Sequence, residues 1–241
     1  MEVRINKYIS ESGLLSRRKA DEAILAGEIM INGIVAEPGM KVKPGDTVTW
    51  KGNTVEAVKV TRVFAYYKPM GLVCTAKESD KDSIFHTLEL PVPCMYVGRL
   101  DKDSQGLLLL TTDGDLSNSI QKARNHHEKE YVVRVDKQVT ADFLNKMSSG
   151  VEILDTVTRP CRVIRQGQNS FRIILTQGLN RQIRRMCDAL GYRVVFLKRI
   201  REMNIRLGEM KPGEYREVEG DELKKLIISC QSDEKDRNNG K

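Results

Sequence analysis

The chain has 241 residues, enough for one large domain or two unequal ones, and its 40% apolar and 30% charged residues are those of an ordinary globular protein. Aliphatic runs such as Leu107–Leu110 stop at about four residues, far below the roughly 18 to 20 that cross a bilayer, and no basic stretch leads into an apolar one after Met1. No membrane span, secretory signal or transit peptide is expected, so the expected location is cytoplasmic.

Cys74, Cys94, Cys161, Cys187 and Cys230 include no C-x-x-C pair, and His86, His126 and His127 add no ligand spacing, so neither disulfides nor a metal site is expected. No glycine-rich dinucleotide or P-loop pattern occurs, so no nucleotide cofactor is expected either. The net charge is +7, but the excess is local. From Arg159 to Arg206 there are 12 Lys and Arg against only Asp188 and Glu202, and 11 of the 12 are Arg. Arginine suits bidentate phosphate contact and base stacking, which points to a nucleic-acid partner; on charge alone a solvated basic face is the alternative.

In chain order, residues 1–60 form a small module of two helices followed by short strands. Ile5, Tyr8 and Ile9 recur at helical spacing, Ser16 caps a helix entered by Arg17, Arg18 and Lys19, and Ala20, Ala23, Ile24 and Leu25 continue it to a stop at Gly27. Asn32-Gly33 is the preferred hairpin dipeptide, and Pro44-Gly45-Asp46 turns into the strand Thr47–Trp50. Arg17, Arg18 and Lys19 are candidate phosphate contacts, although a solvated helix start explains them equally well. Over about residues 2–50 this pattern resembles the alpha-L RNA-binding fold, which implies binding to structured RNA.

Residues 61–228 read as a second, α+β domain: a mainly antiparallel sheet with flanking helices. Expected strands are 63–67, 95–97, 107–111, 131–135, 171–176 and 192–197, and expected helices are 115–121, 141–147, 180–190 and 221–228. The polar residues from Ser229 to Lys241 are expected to form a disordered tail.

Gly98-Arg99-Leu100-Asp101-Lys102-Asp103-Ser104-Gln105-Gly106 is a charged loop between two apolar strands, where catalytic groups tend to be presented. Asp101 and Asp103 are both candidates for acid–base work, and sequence does not fix their separation. Together with Lys129-Glu130-Tyr131 and the run Gln177 to Met186, this loop resembles the motifs of the rRNA pseudouridine synthases of the RsuA family, and the similarity spans roughly residues 2–228. The resemblance implies isomerisation of a uridine without cofactor or metal, with Asp101 as the catalytic carboxylate. It also implies that Tyr131 stacks on the target base, and Asp101–Gln105 and Gly178–Cys187 look closest to the large-subunit rRNA enzymes.

Physical chemistry suits these roles. Extruding a nucleotide costs a few kcal/mol, and stacking on a ring such as Tyr131 returns roughly 1 to 3 kcal/mol. On a helical wheel Ile183, Met186, Cys187 and Leu190 form the apolar stripe and Arg184 lies at its edge. A partly buried Arg184 needs an anion, and the expected partner is Asp101, as the family resemblance also implies. Arg181 and Arg185 are expected to face outward toward phosphates, with Arg99 and Asn180 beside them in the RNA-binding set. Ribosomal RNA is the expected partner, with transfer RNA as an alternative substrate, and a monomer is expected. The competing readings are a non-catalytic RNA-binding assembly factor and a synthase acting on small-subunit rRNA or transfer RNA.

Overall fold

A computed structural model describes residues 2–56, 61–77, 79–122 and 126–238. The boundary expected at residue 60 and the last three residues of the expected tail lie outside that set. The chain divides into two compact units, one made of the residues up to Thr61 together with Leu90–Cys94, the other of the remainder.

The first unit contains β1 (Val3–Arg4), α1 (Ile5–Glu11), α2 (Arg17–Leu25), β2 (Ile29–Ile31), β3 (Ile34–Val35), β4 (Lys41–Val42), β5 (Val48–Trp50) and β6 (Asn53–Thr54). Ser16 caps α2 as expected, its hydroxyl accepting a hydrogen bond from the Lys19 amide. Asn32 and Gly33 both take left-handed φ values, 51° and 80°, as the tight turn between β2 and β3 requires. A four-stranded sheet in the order β3-β2-β5-β6 and the pair β1–β4 enclose a core of Ile5, Ile9, Ala20, Ile24, Ile29 and Val48. Arg17, Arg18 and Lys19 are exposed.

The second unit runs through β7 (Val63–Lys68), α3 (Ile84–Thr87), β8 (Met95–Val97), β9 (Gln105–Thr111), α4 (Gly114–Gln121), β10 (Lys129–Val135), α5 (Ala141–Ser149), β11 (Glu152–Ile153) and β12 (Thr156–Val157). It continues with β13 (Arg162–Gly167), β14 (Ser170–Leu175), α6 (Gln182–Ala189), β15 (Val194–Glu202), β16 (Ile205–Arg206), β17 (Tyr215–Glu217) and α7 (Gly220–Asn238). Its main sheet has the order β13-β14-β10-β15-β9-β7-β17, with β16 on β15 and β8 on β9. All pairings are antiparallel except β15 with β9.

Burial explains the sequence pattern of each strand. Leu107 to Leu110 in β9 are all 0% exposed, so this central strand is apolar without alternation. Strands β10 and β14 alternate: Val133, Val135, Phe171, Ile173 and Leu175 pack with Phe143 and Met147 of α5 and Ile183, Met186 and Cys187 of α6. Strand β13 escapes sequence reading because Arg162, Arg165 and Gln166 give an edge strand no apolar period. Helix α7 differs from expectation as well, continuing through Asn238 where an unstructured tail was expected from Ser229. Leu226 and Cys230 are buried in the core and carry the helix past Ile228, and the Gln, Glu, Lys and Arg that follow are good helix formers. Among the described residues no helix is long and apolar enough to cross a membrane.

One edge of β9 is shared by two partners. Its end pairs with β8, Met95 opposite Thr111 and Val97 opposite Leu109, while its start pairs with β15, Lys198 opposite Gln105 and Arg199 opposite Gly106. The loop between β8 and β9 lies at this exchange. Gly106 has φ 106°, and a Cβ there would sit 2.2 Å from the Arg199 carbonyl oxygen. Gly106→Ala is therefore expected to cost about 3 kcal/mol or more through left-handed strain and backbone collision, lowering Tm by about 10 °C in a thermal melt.

Candidate active site

The loop from Gly98 to Ser104 is held from several sides. The Lys68 ammonium, fully buried at the end of β7, donates to the carbonyls of Pro69 (2.9 Å) and Ser104 (2.8 Å). The Gly71 amide donates to the Lys102 carbonyl at 2.8 Å, and Tyr67 donates to the Gln105 side-chain oxygen at 3.0 Å. Leu100 and Ser104 are buried, whereas the Asp101 side chain is 32% exposed. The Cys74 thiol donates to the Leu100 carbonyl at 3.5 Å, so the loop is held on either side of Asp101, at Leu100 and at Lys102 and Ser104.

Asp101 opens onto a cavity of about 620 Å³, within the usual range for small-molecule sites. Tyr131, Lys129, Leu175, Leu197 and Arg199 line it from the sheet, and Gln177 to Ile183 from the segment that enters α6. Strand alternation places Lys129 and Tyr131 on the same face of β10 as the buried Val133. Tyr131 is partly buried against the core there, and burial raises its hydroxyl pKa, so the ring is neutral and available for stacking. Arg99, Asn180 and Arg181 also line the cavity and are exposed, so three members of the expected RNA-binding set gather at its edge.

The arginines divide their work differently from the expectation. Arg184 is only 9% exposed, as its place on the apolar stripe implied, but it forms no ion pair with Asp101. One guanidinium nitrogen donates to the Asp103 carbonyl at 2.8 Å and the Ser104 hydroxyl at 3.3 Å and lies 3.3 Å from the Asp103 carboxylate; the other donates to the Val194 carbonyl at 3.3 Å. Arg184 therefore fastens the loop to the sheet. It is Arg181 that meets Asp101, at 3.6 Å, while gripping both carboxylate oxygens of Asp103 at 3.1 and 3.2 Å. The helical wheel misplaced Arg181 because it is not in the helix: it is the N-cap residue of α6, left-handed at φ 51°, and this backbone turn redirects its side chain. Burial pushes the Asp103 carboxyl up, but the Arg181 hydrogen bonds and the nearby Arg184 charge hold it below the ordinary range. Arg185 points away and bonds the Asn180 carbonyl and side-chain oxygen at 3.1 and 3.2 Å.

Sequence reading passed over several charged groups at the site. Lys68, Arg199 and Glu202 are buried, and Lys129 was noted only as a neighbour of Tyr131. The signal for Arg199 was present: counting two residues on from Leu197 puts it on the inward face of β15, but the expected strand stopped at Leu197, five residues short of Glu202.

Residues 62–189 match the family model described as RNA pseudouridylate synthase, and residues 3–48 match that of the S4 domain. The dual-specificity RNA pseudouridine synthase RluF of Escherichia coli strain K12 is 48% identical over 223 residues, covering 92% of this chain and 77% of that protein. An uncharacterized RNA pseudouridine synthase of Aquifex aeolicus is 36% identical over 235 residues, covering 94% of each. A crystal structure of a pseudouridylate synthase superposes with TM-score 0.68 at 29% identity, covering 93% of this chain and 99% of that one.

Arg184→Ala removes the buried fastening of the loop. It is expected to lower stability by about 2 kcal/mol and the turnover rate by about 100-fold, as read by chemical denaturation and single-turnover kinetics. Arg181→Ala, at an exposed position, should leave the melting transition nearly unchanged.

Proposed function

The chain belongs to the RNA pseudouridylate synthase family and carries an S4 domain, and from that premise we propose that it isomerises a uridine of large-subunit ribosomal RNA with Asp101 as the catalytic carboxylate. The observation that carries the assignment of Asp101 is its position: a carboxylate in a loop held on either side of it, at Leu100 and at Asp103 and Ser104, and open to a cavity that is also lined by the aromatic ring of Tyr131. The large-subunit substrate is supported by the likeness of Asp101–Gln105 and Gly178–Cys187 to enzymes of that class.

The reaction breaks the bond from uracil nitrogen 1 to sugar carbon 1′, turns the base and joins carbon 5 to carbon 1′. The carbon 5 proton is lost and nitrogen 1 gains one, so the product is an isomer. The target nucleotide leaves its stack and is held on the face of Tyr131, which offsets part of the unstacking cost. Asp101 acts on the sugar as nucleophile or as general base, and either role needs the ionised carboxylate. The Arg181 guanidinium lies 3.6 Å from that carboxylate and orients it. Arg99 and Asn180 at the cavity edge meet the flanking phosphates, and Arg185 braces Asn180. Arg17, Arg18 and Lys19 contribute sequence-independent affinity from the S4 domain.

Tritium release from large-subunit rRNA labelled at uracil carbon 5 tests the assignment. The natural protein is expected to release the label, and Asp101→Asn to release none while its RNA affinity stays within about threefold. Release by a folded Asp101→Asn protein overturns the role of Asp101; no release by the natural protein from large-subunit, small-subunit or transfer RNA, with binding intact, identifies a non-catalytic assembly factor instead.

Replacing Arg17 and Arg18 together by Ala should weaken RNA binding and lower the slope of log affinity against log salt by about 1.5, as read in a salt titration.

A further inference from the structure

Behind Tyr131 lies a group of charges that the reaction described above does not use. Across β10 and β15, Tyr131 is paired with Arg199 and Lys129 with Glu202. Glu202 is 0% exposed, and the side chains of Arg199 and Lys129 are 2% and 15% exposed. Arg199 donates from Nε to the Leu107 carbonyl at 2.6 Å, which fixes its head against β9. Its Nη2 lies 3.3 Å from one Glu202 oxygen, and Lys129 Nζ lies 3.8 Å from the other. Neither contact has hydrogen-bond geometry: Arg199 Nη2 and both Glu202 oxygens are buried without a hydrogen-bond partner.

One carboxylate therefore faces two cations, and the cluster keeps an excess positive charge away from water. Burial lowers the Lys129 pKa against the pull of Glu202, with Arg199 adding to the lowering. Such a site is stabilised by the arrival of an anion. Lys129 and Arg199 line the cavity together with Tyr131 and Asp101, so the anion arrives from the substrate side. A backbone phosphate remains with the chain near the exposed Arg99 and Arg181, whereas a flat base on Tyr131 reaches the interior. The reaction makes that base an anion: when the bond from nitrogen 1 to carbon 1′ breaks, the electron pair stays on uracil and spreads over nitrogen 1 and the two carbonyl oxygens.

We propose that Lys129 and Arg199, counterbalanced by Glu202, stabilise the uracil anion between cleavage at nitrogen 1 and bond formation at carbon 5. When carbon 5 joins carbon 1′, the anion's electron pair becomes the new bond, the carbon 5 proton leaves and nitrogen 1 is protonated, so the base is neutral again. The cluster then returns to its resting charge and no longer favours the bound base. This role rests on the reading that the Asp101 cavity receives the target uridine.

The test compares RNA carrying uridine with the same RNA carrying 5-fluorouridine, whose fluorine withdraws electron density and stabilises the anion by itself. Single-turnover loss of the nitrogen-linked nucleoside is followed by nuclease digestion and chromatography, with Kd and thermal melts measured for every variant of the full chain. Lys129→Met is expected to slow uridine cleavage by about 100-fold but 5-fluorouridine cleavage by less than about tenfold, with Kd changed by less than about threefold. Equal slowing of the two bases, an unchanged rate, or a loss confined to Kd, as a phosphate contact gives, overturns the proposal. Lys129→Arg keeps the charge and decides the matter if Lys129→Met does not fold: it should remain within about tenfold of the natural rate on both bases, and a folded Lys129→Arg protein slowed about 100-fold on both sinks the idea. Turnover by Asp101→Asn in the same assay would instead overturn the assignment of the cavity.

Discussion

Strand β15 passes β9 with the Arg199 backbone against Gly106, in a space that admits no side chain, and the residues of the candidate site are arranged around that crossing. It joins the half of the sheet packed on α5 and α6 to the half built on β7 and β9. It also sits next to the end of the Gly98–Ser104 loop, so Asp101 and the inward side chains of β10 and β15 come to line one cavity. A wider separation would move the carboxylate away from Tyr131, and positioning errors of an ångström weigh heavily on rate.

Around this crossing the charged residues have separable duties. Lys68 and Arg184 are buried and spend their donors on loop carbonyls, which makes them fasteners of the backbone. Arg181 is exposed and spends its donors on carboxylates, which places its charge beside Asp101 and Asp103. Lys129, Arg199 and Glu202 lie deeper, where charge is costly and therefore most effective when an opposite charge develops. On the other face of β10, Glu130 is held by Arg201 at 2.8 Å and Arg172 at 3.1 Å, so part of the basic excess between Arg159 and Arg206 is structural.

Local chemistry was the legible part of the sequence. The Ser16 cap, the Asn32-Gly33 turn and the apolar run of β9 each depend on a few adjacent residues, and each stands where the pattern placed it. The loop around Asp101 was legible for the same reason, bounded by two apolar strands. What could not be read was set by distant neighbours or by backbone departures from the regular period. Arg181 leaves the helical wheel through a left-handed N-cap, β13 has no apolar alternation, and the interior place of Arg199 depends on extending β15 beyond Leu197. The last helix was cut short at Ile228 because composition alone does not reveal that Cys230 is anchored in the core.

The crossing of β9 and β15 also bears on the order in which the enzyme is made. The loop that carries Asp101 is synthesised long before its fasteners and partners, since Arg181, Arg184 and Arg199 lie 80 or more residues further along and meet it only through long-range contacts. Domains fold largely as units during synthesis, and pairing between distant strands is slow. A nascent chain that ends before Arg181 has its carboxylate but neither the arginine 3.6 Å from it nor strand β15, which walls its cavity. The cavity is therefore complete only after β15 has left the ribosome.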